Sequence, residues 1–152
     1  MKATIRKLRM EDVEQVNQLY EQYMPTKASR ASTLRRALER DDSEMLVAEE
    51  QGNIVGVLDQ VFYLDPLHNG TCSNILFLYV AEPFRRQNLG RLLLDSALNS
   101  AADRGVIEVH VSTRTGNLAA IRLYEKTGFE YAGPLFECTP EKRKVTVDDC
   151  GR

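Results

Sequence analysis

The 152-residue sequence has few cysteines and histidines, no long hydrophobic run and little net charge, and each shortage excludes a class of protein. Its three cysteines (Cys72, Cys138 and Cys150) are odd in number and widely spaced, and its two histidines (His68 and His110) stand alone. This pattern predicts neither a disulfide framework nor a metal site. No apolar run is long enough for a membrane span or a signal peptide. The cysteine pattern and the missing apolar runs lead us to expect a cytoplasmic protein with no membrane partner. The net charge of -2 gives no reason to expect a nucleic-acid partner.

Positive charge is also missing from one long segment. Between Met45 and Phe84 there is no lysine or arginine, although the segment carries five acidic residues; Arg85, Arg86 and Arg91 then follow. An acidic region beside a basic loop can hold a cationic substrate next to an anionic cofactor. Chance clustering on strand surfaces explains the same pattern equally well, so charge alone does not decide between the two.

The length and the 43% apolar content fit one domain, residues 1–152, with one core. Apolar periodicity predicts strands at 4–8, 45–50, 54–63, 72–80, 107–113 and 129–132, a further strand at 144–147, and helices at 11–23, 32–40, 88–104 and 117–128. A turn at Gln51, Gly52 and Asn53 predicts an antiparallel hairpin. The strand–helix–strand order that follows predicts a parallel βαβ unit, so the expected sheet is mixed.

The most informative stretch runs from Ile75 to Leu94. Ile75 to Val80 is an unbroken apolar run, which is typical of a strand covered on both faces. Pro83 ends the ladder, and helical spacing begins at Asn88. The three arginines and Gly90 therefore lie where a loop opens a helix, whose unpaired N–H groups and dipole favour a phosphate. The loop lacks both the dinucleotide G-x-G-x-x-G pattern and the P-loop pattern, which argues against other nucleotide-binding α/β proteins.

A second stretch runs from Asn117 to Phe129. Taken alone, Asn117 is the N-cap of a helix and Tyr124 is a packing residue. Because Asn117 and Tyr124 follow the basic loop, a functional role is a second interpretation of both residues.

The two stretches together resemble the GNAT superfamily of acetyl-CoA-dependent N-acyltransferases. In that family a Q/R-x-x-G-x-G/A loop holds the CoA pyrophosphate, and an N-x-x-A-x-x-x-Y-x-x-x-G-F stretch follows. The second pattern is complete, from Asn117 through Ala120 and Tyr124 to Gly128 and Phe129. The first is matched at Arg85 and Gly90, with Asn88 at the earlier glycine position. Because asparagine tolerates positive φ, we expect the turn to survive this change.

The resemblance implies a GNAT-like α/β fold: a mixed α+β sheet of six to seven strands flanked by about four helices. It implies an acyltransferase that moves the acetyl group of acetyl-CoA to a primary amine by direct attack, with Tyr124 protonating the leaving thiolate. The backbone of Leu78, Tyr79 or Val80 would hold the acyl oxygen and the pantetheine amides. The implied cofactor-binding residues are Leu78, Tyr79, Val80, Arg85, Arg86, Gln87, Asn88, Leu89, Gly90, Arg91, Asn117 and Tyr124.

Several points stay open at the level of sequence. Glu49, Asp59, Glu108 and His110 are candidates for a general base, but none is assigned, because a water relay or an amine that arrives neutral would also serve. The acidic segment favours a small cationic or amino-acid-like acceptor over a protein lysine or N-terminus. A non-catalytic CoA-binding domain is the alternative of another class. The region 136–147 is too irregular to place, and a homodimer through the last strands stays open.

Overall fold

The computed structural model describes residues 3–135 and 137, and its centre is one five-stranded sheet. The strands are β1 (Thr4–Lys7), β2 (Ser43–Glu50), β3 (Asn53–Asp65), β4 (Gly70–Val80) and β5 (Glu108–Val111). They lie side by side in chain order; β1 to β4 pair antiparallel, and β4 pairs parallel with β5. The predicted hairpin, the predicted parallel unit and the mixed sheet are therefore confirmed.

Four α-helices cover the sheet in the described part of the chain, as expected. They are α1 (Val13–Tyr23), α2 (Ala31–Leu38), α3 (Leu89–Asp103) and α4 (Leu118–Lys126). Short 3-10 turns precede α1 at Met10–Asp12 and follow β4 at Glu82–Phe84. Within the described residues, none of these helices combines the length and the apolar character needed to cross a membrane.

The hydrophobic core has two halves, one on each face of the sheet. On one face α1 and α2 pack through Val13, Val16, Leu19 and Leu34. On the other face α3 packs through buried leucines and alanines, and α4 joins it with Leu123 and Tyr124. Because successive side chains of a strand point to opposite faces, β4 contributes to both halves. Phe77 and Tyr79 pack on the α1 face, whereas Leu78 and Val80 pack on the α3 face.

Three expectations about the sheet need correction. The described residues contain five strands, fewer than the six to seven expected, because 129–132 continues from α4 without strand pairing. The strand expected at 144–147 lies outside the described residues. The run from Ile75 to Val80 is not covered on both faces, since Leu76 is 54% exposed and the four residues after it are only partly buried.

Candidate functional site

The pairing partners of β4 change along its length and open a gap in the sheet. Against β3, β4 stays paired as far as Val80, which lies opposite Gly56. Against β5, the pairing ends at Ile75, opposite Val111. The next residue, Leu76, has no partner in the β3 register and forms a bulge, a feature that redirects a strand and often lies near functional sites. Beyond Ile75, β4 and β5 therefore separate.

The alternation of the ladder decides which backbone groups face this gap. The Ala81 N–H donates to the Val55 carbonyl on β3 at 2.9 Å. Because antiparallel pairing alternates residue by residue, the N–H and C=O of Val80 and Leu78 point to the opposite edge. Those of Tyr79 point back toward β3. The resemblance implied a cofactor-binding role for the backbone of Leu78, Tyr79 or Val80. The backbone groups of Leu78 and Val80 lie at the gap, whereas those of Tyr79 lie in the ladder with β3.

The loop after β4 delivers the N-terminus of α3 to the same edge. Asn88 has φ of 65° and Arg86 has φ of 63°, so the expected left-handed conformation of Asn88 is confirmed. The Asn88 side chain makes no capping hydrogen bond, which leaves the first N–H groups of α3 without a side-chain partner from the cap. A Cβ on Gly90 would meet only Leu123, at an ordinary 3.5 Å. The space above Gly90 is therefore open toward a ligand.

The side chains of Arg85 and Arg91 already make hydrogen bonds within the protein. The Arg85 Nε donates to the Val80 carbonyl at 3.0 Å, and its guanidinium lies 5.4 Å from the centre of the Tyr79 ring. The Arg91 Nε donates to both carboxylate oxygens of Asp95 at 2.9 Å, one turn along α3. Arg85 thus stays beside the gap, whereas the Arg91 side chain lies along the helix.

The remaining predicted positions differ in what they can offer a ligand. Arg86 and Gln87 are exposed, whereas Leu89 is buried in the core and offers only its backbone. The Asn117 Oδ1 accepts from the Ala120 N–H at 3.2 Å, which confirms the predicted N-cap of α4. Its side-chain NH₂ is the group that remains to donate to a ligand.

Tyr124 lies on α4, on the same face of the sheet as α3. Its ring packs 5.8 Å from that of Phe129 and contributes to the core on that face, so the packing role expected from the sequence is present. Burial raises the pKa of the Tyr124 phenol, and the nearby Tyr23 phenol raises it further. The hydroxyl therefore stays protonated at neutral pH, as a proton donor must.

The structure separates the four candidates for a general base. Glu49 accepts from the Arg6 Nε at 2.6 Å, in an ion-pair network that also includes Asp12, so it has a structural role. Asp59 pairs with no cation in the described part of the chain, and burial raises the pKa of its carboxyl to about 6.

Glu108 and His110 lie toward the other end of β4, away from the loop. They pair with Cys72 and Asn74 and hydrogen-bond each other at 2.6 Å. The two histidines are not isolated as their sequence positions indicated, because the His68 ring lies 6.0 Å from the His110 ring. Side-chain ligand atoms of His68 and Cys72 also lie within 4.8 Å of each other and of Asp65.

An aromatic group beside the gap was not recognised as part of a site from the sequence. Tyr20 stacks on Phe77 with ring centres 4.2 Å apart, and Tyr23 contacts Phe77 at 5.2 Å and Tyr79 at 5.9 Å. Tyr20 and Tyr23 look like part of the inward stripe of α1, yet Tyr23 is 54% exposed. Nothing in the sequence indicates that these tyrosines contact Phe77 and Tyr79, which are alternate residues of a strand that begins some fifty residues later. We call Tyr20, Tyr23, Phe77 and Tyr79 the aromatic wall.

Comparison with known proteins decides the family. The model of the Acetyltransferase (GNAT) family matches residues 7–129, which include the gap, the loop and α4. The chain belongs to the GNAT acetyltransferase family. The family is one of acetyltransferases that use acetyl-CoA.

Individual relatives support this membership, but the alignment with this chain covers only part of the length of each relative. The chain is 33% identical over 92 residues to human N-acetyltransferase 8, covering 60% of this chain and 40% of that protein. It is 41% identical over 58 residues to the [ribosomal protein bS18]-alanine N-acetyltransferase of Salmonella typhimurium, covering 38% of this chain and 39% of that protein. The matches thus span less than half the length of these curated relatives.

Solved structures show the same fold. AAC(6')-Iy, solved with the bisubstrate analogue CoA-S-monomethyl-acetylneamine, superposes with a TM-score of 0.82 at 18% identity. The match covers 96% of this chain and all of that one. At this identity the likeness establishes the GNAT fold, and the acceptor of this chain has to be argued from its own residues.

Proposed function

We propose that residues 1–152 form a single domain that transfers the acetyl group of acetyl-CoA to a primary amine by direct attack in a ternary complex. The observation that carries the proposal is the gap beside β4. Backbone groups of Leu78 and Val80 face it, and the uncapped N-terminus of α3 lies at its end. Unpaired N–H groups on a strand edge suit an amide-bearing pantetheine chain, and those on a helix N-terminus suit its pyrophosphate.

The loop before α3, the backbone at the gap and Tyr124 each have a role in this mechanism that their position supports. The α3 N-terminus from Asn88 to Arg91 binds phosphate through backbone N–H groups, and Arg85 and Arg86 add positive charge. The N–H groups at the gap stabilise the oxyanion that forms when the amine attacks the thioester carbonyl. Tyr124, held protonated by burial, gives its proton to the thiolate as the C–S bond breaks.

The acceptor that we propose is a small cationic amine. The segment from Met45 to Phe84, which has no lysine or arginine, includes β3 and β4, which border the gap. A protein N-terminus is the second candidate, because relatives of the chain include ribosomal-protein-alanine N-acetyltransferases. Both acceptors supply a primary amine, so the chemistry at the gap is the same for both.

Thiol release tests the proposal. Protein and acetyl-CoA are mixed with polyamines, an aminoglycoside, free amino acids and peptides with an N-terminal alanine or an internal lysine, and free CoA is measured. We expect turnover with a small cationic amine and none after that amine is N-acetylated. CoA release with the alanine peptide alone would identify a protein N-terminus, and not a small amine, as the acceptor. CoA binding without release from any amine would make the chain a binding module, and absence of CoA binding would reject the proposal.

A further inference from the structure

The aromatic wall lies on the face of the sheet opposite to α3 and α4. Its members Phe77 and Tyr79 point to the α1 face, whereas the neighbouring Leu78 and Val80 point to the α3 face. The proposed phosphate loop opens α3, so a cofactor and an aromatic-bound acceptor would approach the gap from opposite faces.

The faces of the wall already attract cations. The Arg30 guanidinium lies 5.7 Å from the Tyr20 ring centre, and that of Arg85 lies 5.4 Å from the Tyr79 ring centre. A tyrosine or phenylalanine face binds guanidinium and ammonium groups by the same quadrupole attraction. Between these two ends, the exposed Tyr23 presents a ring that no arginine covers among the described contacts.

One carboxylate lies directly beside the wall. Asp59 on β3 faces Phe77 across the pair, at the point where the β4 bulge shifts the register. Its Oδ2 lies 3.5 Å from the Tyr20 hydroxyl, a long contact for an O–H···O bond. Its Oδ1 is buried and has no hydrogen-bond partner within the described residues. A buried acceptor without a partner among the described residues requires an explanation, and a functional role is one.

Among the residues that the structure describes, no cation pairs with Asp59. Its strand neighbours, Met45 on β2 and Phe77 on β4, carry no charge. From α1 the titratable group is Tyr20, whose own pKa is raised by burial and by Asp59. Arg30 lies beyond the Tyr20 ring and is paired with Glu21. Asp59 therefore keeps the capacity to bind a cationic ligand.

We propose that Asp59 and the aromatic wall form the acceptor subsite, in which the wall holds an alkylammonium group and the Asp59 carboxylate accepts its proton. This inference rests on the proposed function and gives it an acceptor site. The proton moves from nitrogen to a carboxylate oxygen, and the freed lone pair attacks the thioester carbonyl. The new C–N bond forms, the C–S bond breaks, and the thiolate takes the Tyr124 proton. The acylated nitrogen loses a second proton, which restores the phenol, and the Asp59 proton passes to water.

Binding tests the subsite without any turnover. With CoA present in place of acetyl-CoA, we would compare 1,5-diaminopentane with 1,5-pentanediol by calorimetry. We expect the diamine to bind at least about tenfold more tightly, a preference of about 1.4 kcal/mol. Asp59→Asn should lose most of that preference, and Tyr23→Leu, at an exposed position, should weaken diamine binding about three- to tenfold. Asp41→Asn changes an exposed aspartate and should leave the preference unchanged.

The pH profile tests the proton transfer. For any amine that the wild type acetylates, kcat/KM should rise with pH through an apparent pKa near 6, and Asp59→Asn should remove this limb and lower kcat/KM at least about 100-fold. Tyr20→Phe removes the contact that lowers the pKa of Asp59, so it should move the limb to higher pH while the protein stays folded. An unchanged profile in both variants, with wild-type turnover intact, would overturn the role of Asp59.

The binding and turnover experiments distinguish a failure of this inference from a failure of the proposed function. If no amine releases CoA but the diamine preference depends on Asp59, the subsite stands and acetyl transfer fails. If CoA is released while Asp59→Asn retains the diamine preference and the acidic limb, acetyl transfer stands and the subsite is wrong.

Discussion

Asp59 faces Phe77 across β3 and β4, and the register of the two strands slips by one residue immediately beyond this pair. The slip coincides with the point at which β5 stops pairing with β4. A carboxylate, an aromatic ring and an open strand edge are thereby placed together. Because the carboxylate is buried, this arrangement has a thermodynamic consequence as well as a chemical one.

Asp59→Asn should change stability in a pH-dependent way. Burial raises the folded pKa of Asp59 to about 6, above its ordinary 3.8. The folded state thus holds this proton more tightly than the unfolded state, and wild-type stability falls as pH rises from about 4 to about 6. Above pH 7 the cost reaches at most about 3 kcal/mol, at 1.36 kcal/mol per pKa unit. Urea unfolding should show the variant gaining on the wild type between pH 4 and pH 8. A difference that is constant with pH would contradict the burial of this charge.

Tyr124→Phe should lower turnover much more than CoA affinity. The substitution removes the hydroxyl but keeps the ring that packs against Phe129. Loss of a general acid costs typically 10²- to 10⁴-fold in rate, whereas we expect the Kd for CoA to change by less than about threefold. Steady-state kinetics and calorimetry check this, with Tyr131→Phe at an exposed position as control. An equal fall in both quantities would make Tyr124 a positioning residue.

Gly90→Ala should weaken CoA binding without weakening the fold. The added methyl meets only Leu123, at 3.5 Å, and alanine is the better helix former by up to about 1 kcal/mol. The melting temperature should therefore stay constant or rise. The Kd for CoA should rise at least about tenfold, because the methyl occupies the space in which a phosphate approaches the helix. A bulkier side chain at Gly90 should abolish binding. Undiminished affinity in these variants would reject the phosphate-binding role of the loop.

Arg86→Ala should weaken CoA binding only through the loss of one positive charge. Arg86 is exposed in the loop before α3, so removing its charge should raise the Kd by about three- to tenfold at low salt and less at high salt. Arg36→Ala removes an exposed charge from α2 and should leave the Kd unchanged. A similar loss in both variants would indicate a general effect of net charge in place of a local phosphate contact.

The sequence by itself determined the order of the described helices and strands, the hairpin, the parallel unit and the two stretches that resemble the GNAT pattern. These rest on local physics. Apolar periodicity distinguishes helix from strand, Asn88 tolerates positive φ, and Asn117 caps the helix that begins just after it. Such preferences act over a few residues, so they can be read without knowing what lies on the other side of the fold.

Only the tertiary structure decided where the sheet opens and which carboxylate lies beside the opening. The bulge at Leu76 and the early end of β5 depend on register between strands that are distant in sequence. Glu49 and Asp59 look alike in the sequence, yet Arg6 pairs with the first, whereas the second lies buried beside Tyr20 and Phe77. The neighbours of a charge determine its pKa and its role, and the packing of the whole chain determines those neighbours.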